Sequence, residues 1–429
     1  MLIRFALYVL VLLAVPLVAA QLWIIVGMLR SSAARRVTGG DADTTGEWPS
    51  VSVIIPAHDE SERLPATLAS LAGVSYEGPW EIVLVDDRST DATPDLLARA
   101  ARDDDRIRVV TIREPSRRLA PKVNAVRAGI LASTGDVIVT SDADCRYHPG
   151  WLEALVRTFR PGVAMVSGYV ETDLEATAAP GGRVPLWARI EAADWFSLML
   201  VSRSMLRFGK AYASSANNQA YLRSAFERAG GFGAGARAPS GDEDLLAQRL
   251  GSLDGHRVEF ADVDEARVVT RSAGSFVAFL RQRSRWVSRY RHVVHYRPSF
   301  IAGLSVLGFE SIALCAALLA TPFVPELRLP ALAVYAVQSA THVLGMNIGA
   351  RQLGRRDLGG TVSVVWALLH PFIIATAVLW SWLAPGDWRA GAVDYRRSLM
   401  RRRWRLLVRA LVPRGLVPRG LVPRHDVDA

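Results

Sequence analysis

Five short clusters in this chain combine residue types and spacings that can do chemistry. Asp142 and Asp144, in Ser141-Asp142-Ala143-Asp144, are carboxylates two residues apart just past an expected strand. Such a pair can converge on one hard divalent cation, since Mg²⁺ and Mn²⁺ prefer oxygen and are commonly held by one or two carboxylates plus substrate phosphates. A cation there would neutralise charge developing on a leaving diphosphate. The same spacing also suits a turn or a helix cap. Asp86 and Asp87 open the run Asp-Asp-Arg-Ser-Thr-Asp, where a carboxylate either caps a turn or accepts the imide N–H of a uracil ring. Gly241-Asp242-Glu243-Asp244-Leu245 offers either a solvated helix start or a general base for an acceptor hydroxyl. Gln282-Arg283-Ser284-Arg285-Trp286 is either an interfacial basic–aromatic stretch or a phosphate-binding set with a ring for stacking on a sugar. The fifth cluster, Pro56-Ala57-His58-Asp59-Glu60, directly follows the first expected strand.

Regular elements must hold these residues in place. Strand-like runs at 51–56, 81–85, 106–112 and 136–140 alternate with helix-like runs at 61–71, 93–101 and 122–132, the first of these capped by Ser61. That rhythm predicts an α/β fold with a mostly parallel sheet and helices on both faces. Ligands of such sheets gather at the carboxyl ends of the strands, which is where the acidic clusters fall.

Half of the 429 residues are hydrophobic and 21% are charged, and the mean hydropathy is positive at +0.18. These values exclude disorder and collagen-like structure and point to membrane segments. Residues 5–28 are apolar apart from Gln21 and long enough to span a bilayer. Arg30, Arg35 and Arg36 follow like a cytoplasmic stop, which favours an anchor over a cleaved signal. Three more spans are expected at 300–324, 329–348 and 362–383. Their Glu310, His342, Asn347 and His370 should face protein or a cavity rather than lipid. Cys145 and Cys315 are too few and too far apart for a disulfide framework or a zinc site. The net charge of +10, from 51 Lys+Arg against 41 Asp+Glu, lies mostly after residue 350. Nucleic-acid binding is one reading of that excess, but basic membrane flanks explain it more cheaply, and no nucleic-acid partner is expected. The tail repeats Leu-Val-Pro-Arg from Leu411, Leu416 and Leu421, and it is kept out of the fold argument.

Taken in order, the five clusters resemble glycosyltransferase family 2, inverting enzymes with a nucleotide-sugar-binding GT-A fold. They are most similar to the membrane-anchored branch carrying a Gln-x-x-Arg-Trp motif, as in cellulose, chitin and hyaluronan synthases and in lipid or carotenoid glycosyltransferases. The resemblance covers about 51–286. It implies donor binding by Pro56, Ala57 and Glu60, with Asp59 where asparagine is usual, and by Asp86, Asp87, Lys122 and Asp142. Asp87 would contact the uracil, Lys122 would lie near the donor phosphates, and Asp144 with Asp142 would hold the metal. Gln282, Arg283, Arg285 and Trp286 would close over diphosphate and acceptor, and Asn217 and Asn218 resemble a stretch lining the acceptor pocket. The fourth cluster departs from the family's Glu-Asp-x-Asp/Glu-Leu. The Leu245 register makes Asp242 the base with glycine in place of glutamate, whereas a literal Glu-Asp match selects Asp244.

The implied protein is an inverting transferase, dependent on Mg²⁺ or Mn²⁺, that moves a sugar from a UDP-sugar to a hydroxyl of a lipid-linked or membrane-resident acceptor. The alternative is a processive polysaccharide synthase that extends and exports a polymer; four spans favour single transfer. The expected division is an anchor at 1–30, a GT-A domain at 48–272, an interfacial helix at 273–298, membrane helices at 299–384 and a basic tail at 385–429. The donor places the GT-A domain in the cytoplasm. Trp187, Ile190, Trp195, Phe196 and Met199 are expected to lay an apolar face on the bilayer surface. His370-Pro371 sits near the middle of the last segment, so a re-entrant course there is one alternative to a full span.

Overall fold

The computed structural model describes residues 2–37, 47–116, 118–178, 181–233, 242–288 and 296–383. The chain begins with a long helix, α1 (Leu2–Val37). The βα alternation follows: β1 (Val51–Ala57), α2 (Leu64–Ala72), β2 (Trp80–Asp87), α3 (Thr93–Asp103), β3 (Ile107–Ile112), α4 (Pro121–Leu131) and β4 (Val137–Thr140). Next come β5 (Cys145–Tyr147), α5 (Trp151–Val156), β6 (Val163–Gly168), β7 (Val170–Thr172), α6 (Leu186–Leu206), β8 (Gln219–Leu222), α7 (Arg223–Arg228) and α8 (Asp242–Leu250). The chain continues through β9 (Arg257–Ala261), β10 (Val268–Thr270), α9 (Phe276–Ser288), α10 (Pro298–Ala320), α11 (Arg328–Gln352) and α12 (Gly360–Leu383).

The main sheet has the order β3-β2-β1-β4-β8-β6-β9, with β8 antiparallel to both neighbours and every other pair parallel. Val53, Ile54, Ile55, Ile82, Val83, Leu84 and Val139 are buried, as expected of parallel strands covered on both faces. A smaller sheet, β5-β10-β7, takes up the chain immediately after Asp144. The α/β architecture with a mostly parallel sheet, one N-terminal and three C-terminal apolar helices is the one the sequence led us to expect.

Helix α2 begins at Leu64 rather than Ser61. Pro65 fits its first turn, and the Ser61 N–H instead donates to Asp91 at 3.0 Å. Within 273–298, where an interfacial helix is expected, Phe276–Ser288 is helical (α9); residues 289–295 lie outside the described residues.

Among the described residues, four helices are long and apolar enough to cross a membrane: Tyr8–Arg30, Pro298–Ala320, Pro325–Gln352 and Gly360–Trp382. Their polar residues turn inward, as expected. Glu310 is fully buried and accepts a hydrogen bond from Gln338. Gln21 bonds His342 at 2.9 Å, and Asn347 donates to Ser363 at 2.9 Å. Pro371 does not interrupt α12, so the re-entrant alternative gives way to one continuous helix. The arginines of the tail lie outside the described residues.

Of the apolar face expected on the bilayer surface, Trp187 and Trp195 are half-buried and the other three residues are packed inside the chain. Ile190, Phe196 and Met199 of α6 are buried where that helix packs against α1, α12 and β7. The reason is that α6 joins sheet to spans: Arg203, fully buried, bonds both Asp262 beyond β9 and Gln352 at the end of α11. Arg355 in the α11–α12 turn reaches Glu171 on β7 at 2.7 Å. The Arg30 guanidinium lies 5.2 Å from the Phe208 ring, so that end of α1 also sits against the sheet domain.

Candidate active site at the carboxyl edge of the parallel strands

Because β1, β2 and β4 run parallel, their carboxyl ends open on one edge, with Ala57 opposite Asp86 and Ile54 opposite Thr140. After β1 the chain turns sharply, and Asp59 takes φ +52°. Asparagine and aspartate tolerate that left-handed backbone best among residues with side chains. Its Oδ1 accepts the Thr90 N–H at 2.7 Å, so aspartate serves where the family's asparagine is usual. His58, buried, donates its Nδ1–H to the Asp87 carbonyl at 2.6 Å and ties the two strand ends together.

Asp86 and Asp87 are both buried. Asp86 Oδ1 accepts the Ser89 N–H at 3.0 Å, which is turn-capping chemistry. The Asp87 carboxylate is gripped by Arg88 at 2.9 and 3.3 Å, with Arg88 itself at φ +60°. Glu60 pairs with Arg63 at 3.0 Å, and Pro56 and Ala57 close β1.

The loop after β4 is held from several sides. Thr67 of α2 donates to the Ala143 carbonyl at 2.8 Å, and Tyr147 donates to Ser141 at 2.9 Å. Lys122, in the first turn of α4, places its ammonium 2.7 Å from Asp142. Burial, with repulsion from Asp142 and Glu60, pushes the Asp144 carboxyl up to about 6, while Arg63 and Lys122 pull the other way. Its contacts with Cys145 at 3.8 Å and the Thr270 hydroxyl at 3.5 Å are long. A carboxylate crowded by others and poorly served by donors fits a divalent cation. Among the described residues no group of three or more His, Cys, Asp or Glu could hold a metal alone. The donor set therefore suits an ion completed by substrate phosphates.

Several expected site residues have structural jobs. Asp244 is 1% exposed and accepts the Ser214 N–H at 3.0 Å, so it pins the segment before β8. Asp242 opens α8, and its side chain lies outside the described residues. Asn218 is fully buried. Its amide donates to Tyr169 and Ala266 carbonyls at 2.9 and 2.8 Å and accepts from the Trp151 indole at 3.0 Å. Asn217 accepts from the Ser215 hydroxyl.

On α9, Gln282 accepts from Arg283 at 2.9 Å, and Arg283 is buried and paired with Asp194 of α6. The Arg283 guanidinium lies 4.1 Å from the Trp286 ring centre and 4.8 Å from that of Phe279, and Trp286 meets Trp195 at 5.0 Å. Arg283 thus organises this aromatic cluster instead of offering a free cation to a diphosphate. Arg285 is half-buried on the same helix.

Sequence reasoning missed Asp194, Glu191 and Trp366. Trp366 of α12 donates its indole N–H to Asp194 at 3.1 Å. Glu191 accepts the Ala273 N–H at 2.8 Å, just before α9, and burial raises its carboxyl. For Asp194 and Glu191 the available signal was two acidic residues inside a mostly apolar helix, since such groups are seldom buried without a partner.

Residues 52–229 match the description "Glycosyl transferase family 2". The match takes in less than half of the chain, from β1 to the end of α7. Over 118 residues the chain is 36% identical to the undecaprenyl-phosphate 4-deoxy-4-formamido-L-arabinose transferase of Pectobacterium carotovorum, covering 27% of this chain and 35% of that protein. Over 129 residues it is 31% identical to glycosyltransferase AglE of Haloferax volcanii, covering 30% of this chain and 41% of that protein. The chain therefore spans little more than a third of the length of these curated relatives. Among solved structures, the mannosyltransferase PcManGT from Pyrobaculum calidifontis, in complex with GDP-Man and Mn²⁺, is 21% identical with a TM-score of 0.51, over 88% of this chain and 99% of that one. That likeness extends the shared fold of the family 2 domain to the flanking elements.

Proposed function

We propose that the chain is an inverting glycosyltransferase that moves a sugar from a UDP-sugar to a hydroxyl of a membrane-resident lipid, with its family 2 domain in the cytoplasm. The observation that carries this reading is the Lys122–Asp142–Asp144 group at the strand edge, in a chain whose Arg283–Asp194–Trp366 contacts run from α9 into an apolar helix bundle. Names of the similar proteins support its coarser part, a nucleotide-sugar donor and a lipid-linked acceptor: one is a transferase acting with undecaprenyl phosphate and another a mannosyltransferase solved with GDP-Man and Mn²⁺.

In this reading Lys122 holds a phosphate oxygen of the donor. Asp142 and Asp144 would hold Mg²⁺ or Mn²⁺, which supplies positive charge to the departing diphosphate. Asp87, released from Arg88 when the donor enters, accepts the uracil imide. Asp242, at the start of α8, takes the acceptor proton, because Asp244 is already committed to Ser214. One base and one displacement invert the anomeric centre.

The test is UDP release by the full chain in membranes across a panel of UDP-sugars, with and without lipid extract and with EDTA. The reading expects release that needs both lipid and a divalent cation. Failure to release UDP from every donor would overturn it, and a polymer ladder would favour processive synthesis.

A further inference from the structure

Helices α1, α10, α11 and α12, with α6 and α9, line an open cavity of about 510 Å³. That volume is in the range that holds a compact organic ligand. Its wall is largely apolar, with Ile24 of α1, Leu304 of α10 and Ile374 and Val378 of α12. Phe309 and Trp382 also line it and are exposed, at 58% and 68%, so a lipid has a route in between α10 and α12. Asp194, Arg283 and Trp286 line the same cavity and give it a polar end. The wall connects to the candidate active site through the chain itself: Thr270 touches Asp144, Ala273 is held by Glu191, and α9 starts three residues later.

Charge decides what such a cavity accepts. Among its described lining residues, Asp194 and Arg283 are the only Asp, Glu, Lys or Arg, and they are paired with each other. The described wall therefore carries no net charge from these types. A lipid phosphate would bring anionic charge into a low-dielectric site whose one guanidinium is already neutralised, and that is costly. An uncharged alcohol meets no such penalty, and its hydroxyl finds hydrogen-bonding groups at the polar end. Of the helices that line it, only α6 falls inside residues 52–229 that match family 2; α1 and α9 to α12 lie outside that match.

We infer that the cavity holds the apolar chain of an uncharged lipid alcohol, with its hydroxyl at the Arg283–Trp286 end, as the sugar acceptor. This rests on the transferase reading above. The alcohol O–H gives its proton to the base, its oxygen bonds the sugar's anomeric carbon, and the bond from that carbon to the phosphate oxygen breaks to release UDP. An alcohol needs the base that Asp242 supplies, whereas an ionised phosphate would not.

The experiment uses the full chain in vesicles, with a donor from which it releases UDP, and offers a long prenyl alcohol or the monophosphate of that alcohol. The sugar is expected on the alcohol and not on the monophosphate. Ser305→Phe, which fills the lining from α10, should raise KM for the alcohol on the order of tenfold, since each displaced methylene is worth roughly fourfold. A photoreactive prenyl alcohol should cross-link to peptides of α10 and α12, a readout independent of turnover. Sugar on the monophosphate alone, or cross-links confined to other surfaces, would overturn the inference while leaving the transferase reading standing. No UDP release from any donor would overturn both.

Discussion

The Trp366 indole N–H donates to the Asp194 carboxylate at 3.1 Å, and the other oxygen of that carboxylate holds Arg283. One carboxylate on α6 thus joins a membrane-length helix to the helix that carries the Gln-Arg-Ser-Arg-Trp motif. Both partners of the ion pair are buried, so neither charge has water to fall back on.

Removing one side of that pair should be costly. Asp194→Ala strands the Arg283 charge and is expected to cost about 3–5 kcal/mol of stability. Asp194→Asn keeps a hydrogen-bond acceptor for Trp366 and should cost less. Thermal unfolding of the detergent-solubilised protein measures both, and equal stability of wild type and Asp194→Ala would show that the pair contributes nothing.

Asp242 and Asp244 should separate cleanly. Asp242→Asn is expected to lower kcat by about 10²–10⁴ while donor binding is kept, as for loss of a general base. Asp244→Ala removes a buried acceptor from the Ser214 N–H and should cost about 1–3 kcal/mol of stability before any effect on chemistry. A fully stable, inactive Asp244→Ala beside an active Asp242→Asn would reverse the assignment.

Trp286→Ala removes a ring that covers Arg283 and lines the apolar cavity. It is expected to raise KM for the lipid acceptor by about tenfold or more, with donor KM changed little. Steady-state kinetics in both substrates checks this; a rise confined to the donor KM would move Trp286 to the nucleotide.

Much of this fold could be read in advance because its signals are local. Runs such as Val51-Ser-Val-Ile-Ile and Ile82-Val-Leu-Val are buried parallel strands, and the acidic residues that follow them mark the carboxyl edge. Polar residues inside apolar helices announced internal partners, and Glu310–Gln338 and Asn347–Ser363 supply them. What could not be read was pairing across distance. Nothing near Arg283 indicates a partner 89 positions earlier, and nothing near Asn218 indicates that Trp151, Tyr169 and Ala266 use its whole amide. The apolar face of α6 was legible as apolar, but periodicity does not say whether lipid or protein covers it.

The last prediction concerns Asp144. Its carboxyl is raised from the ordinary 3.8 to about 6 by burial first, then by the negative charges of Asp142 and Glu60. A raised folded value means the folded protein holds this proton more tightly than the unfolded chain. The associated stability is fully present below about 3.8 and is lost as pH rises through about 6. Above that pH the strand edge carries two crowded carboxylates that a cation would relieve. Mn²⁺ should therefore raise the melting temperature of the wild type clearly at about pH 7.5 and little at about pH 5, where Asp144 is protonated. Asp144→Asn should abolish the Mn²⁺ effect at both values and, by removing the repulsion, melt no lower than the metal-free wild type at about pH 7.5. An undiminished Mn²⁺ shift in Asp144→Asn would place the cation elsewhere, and a shift equally large at both pH values would remove Asp144 ionisation from its binding.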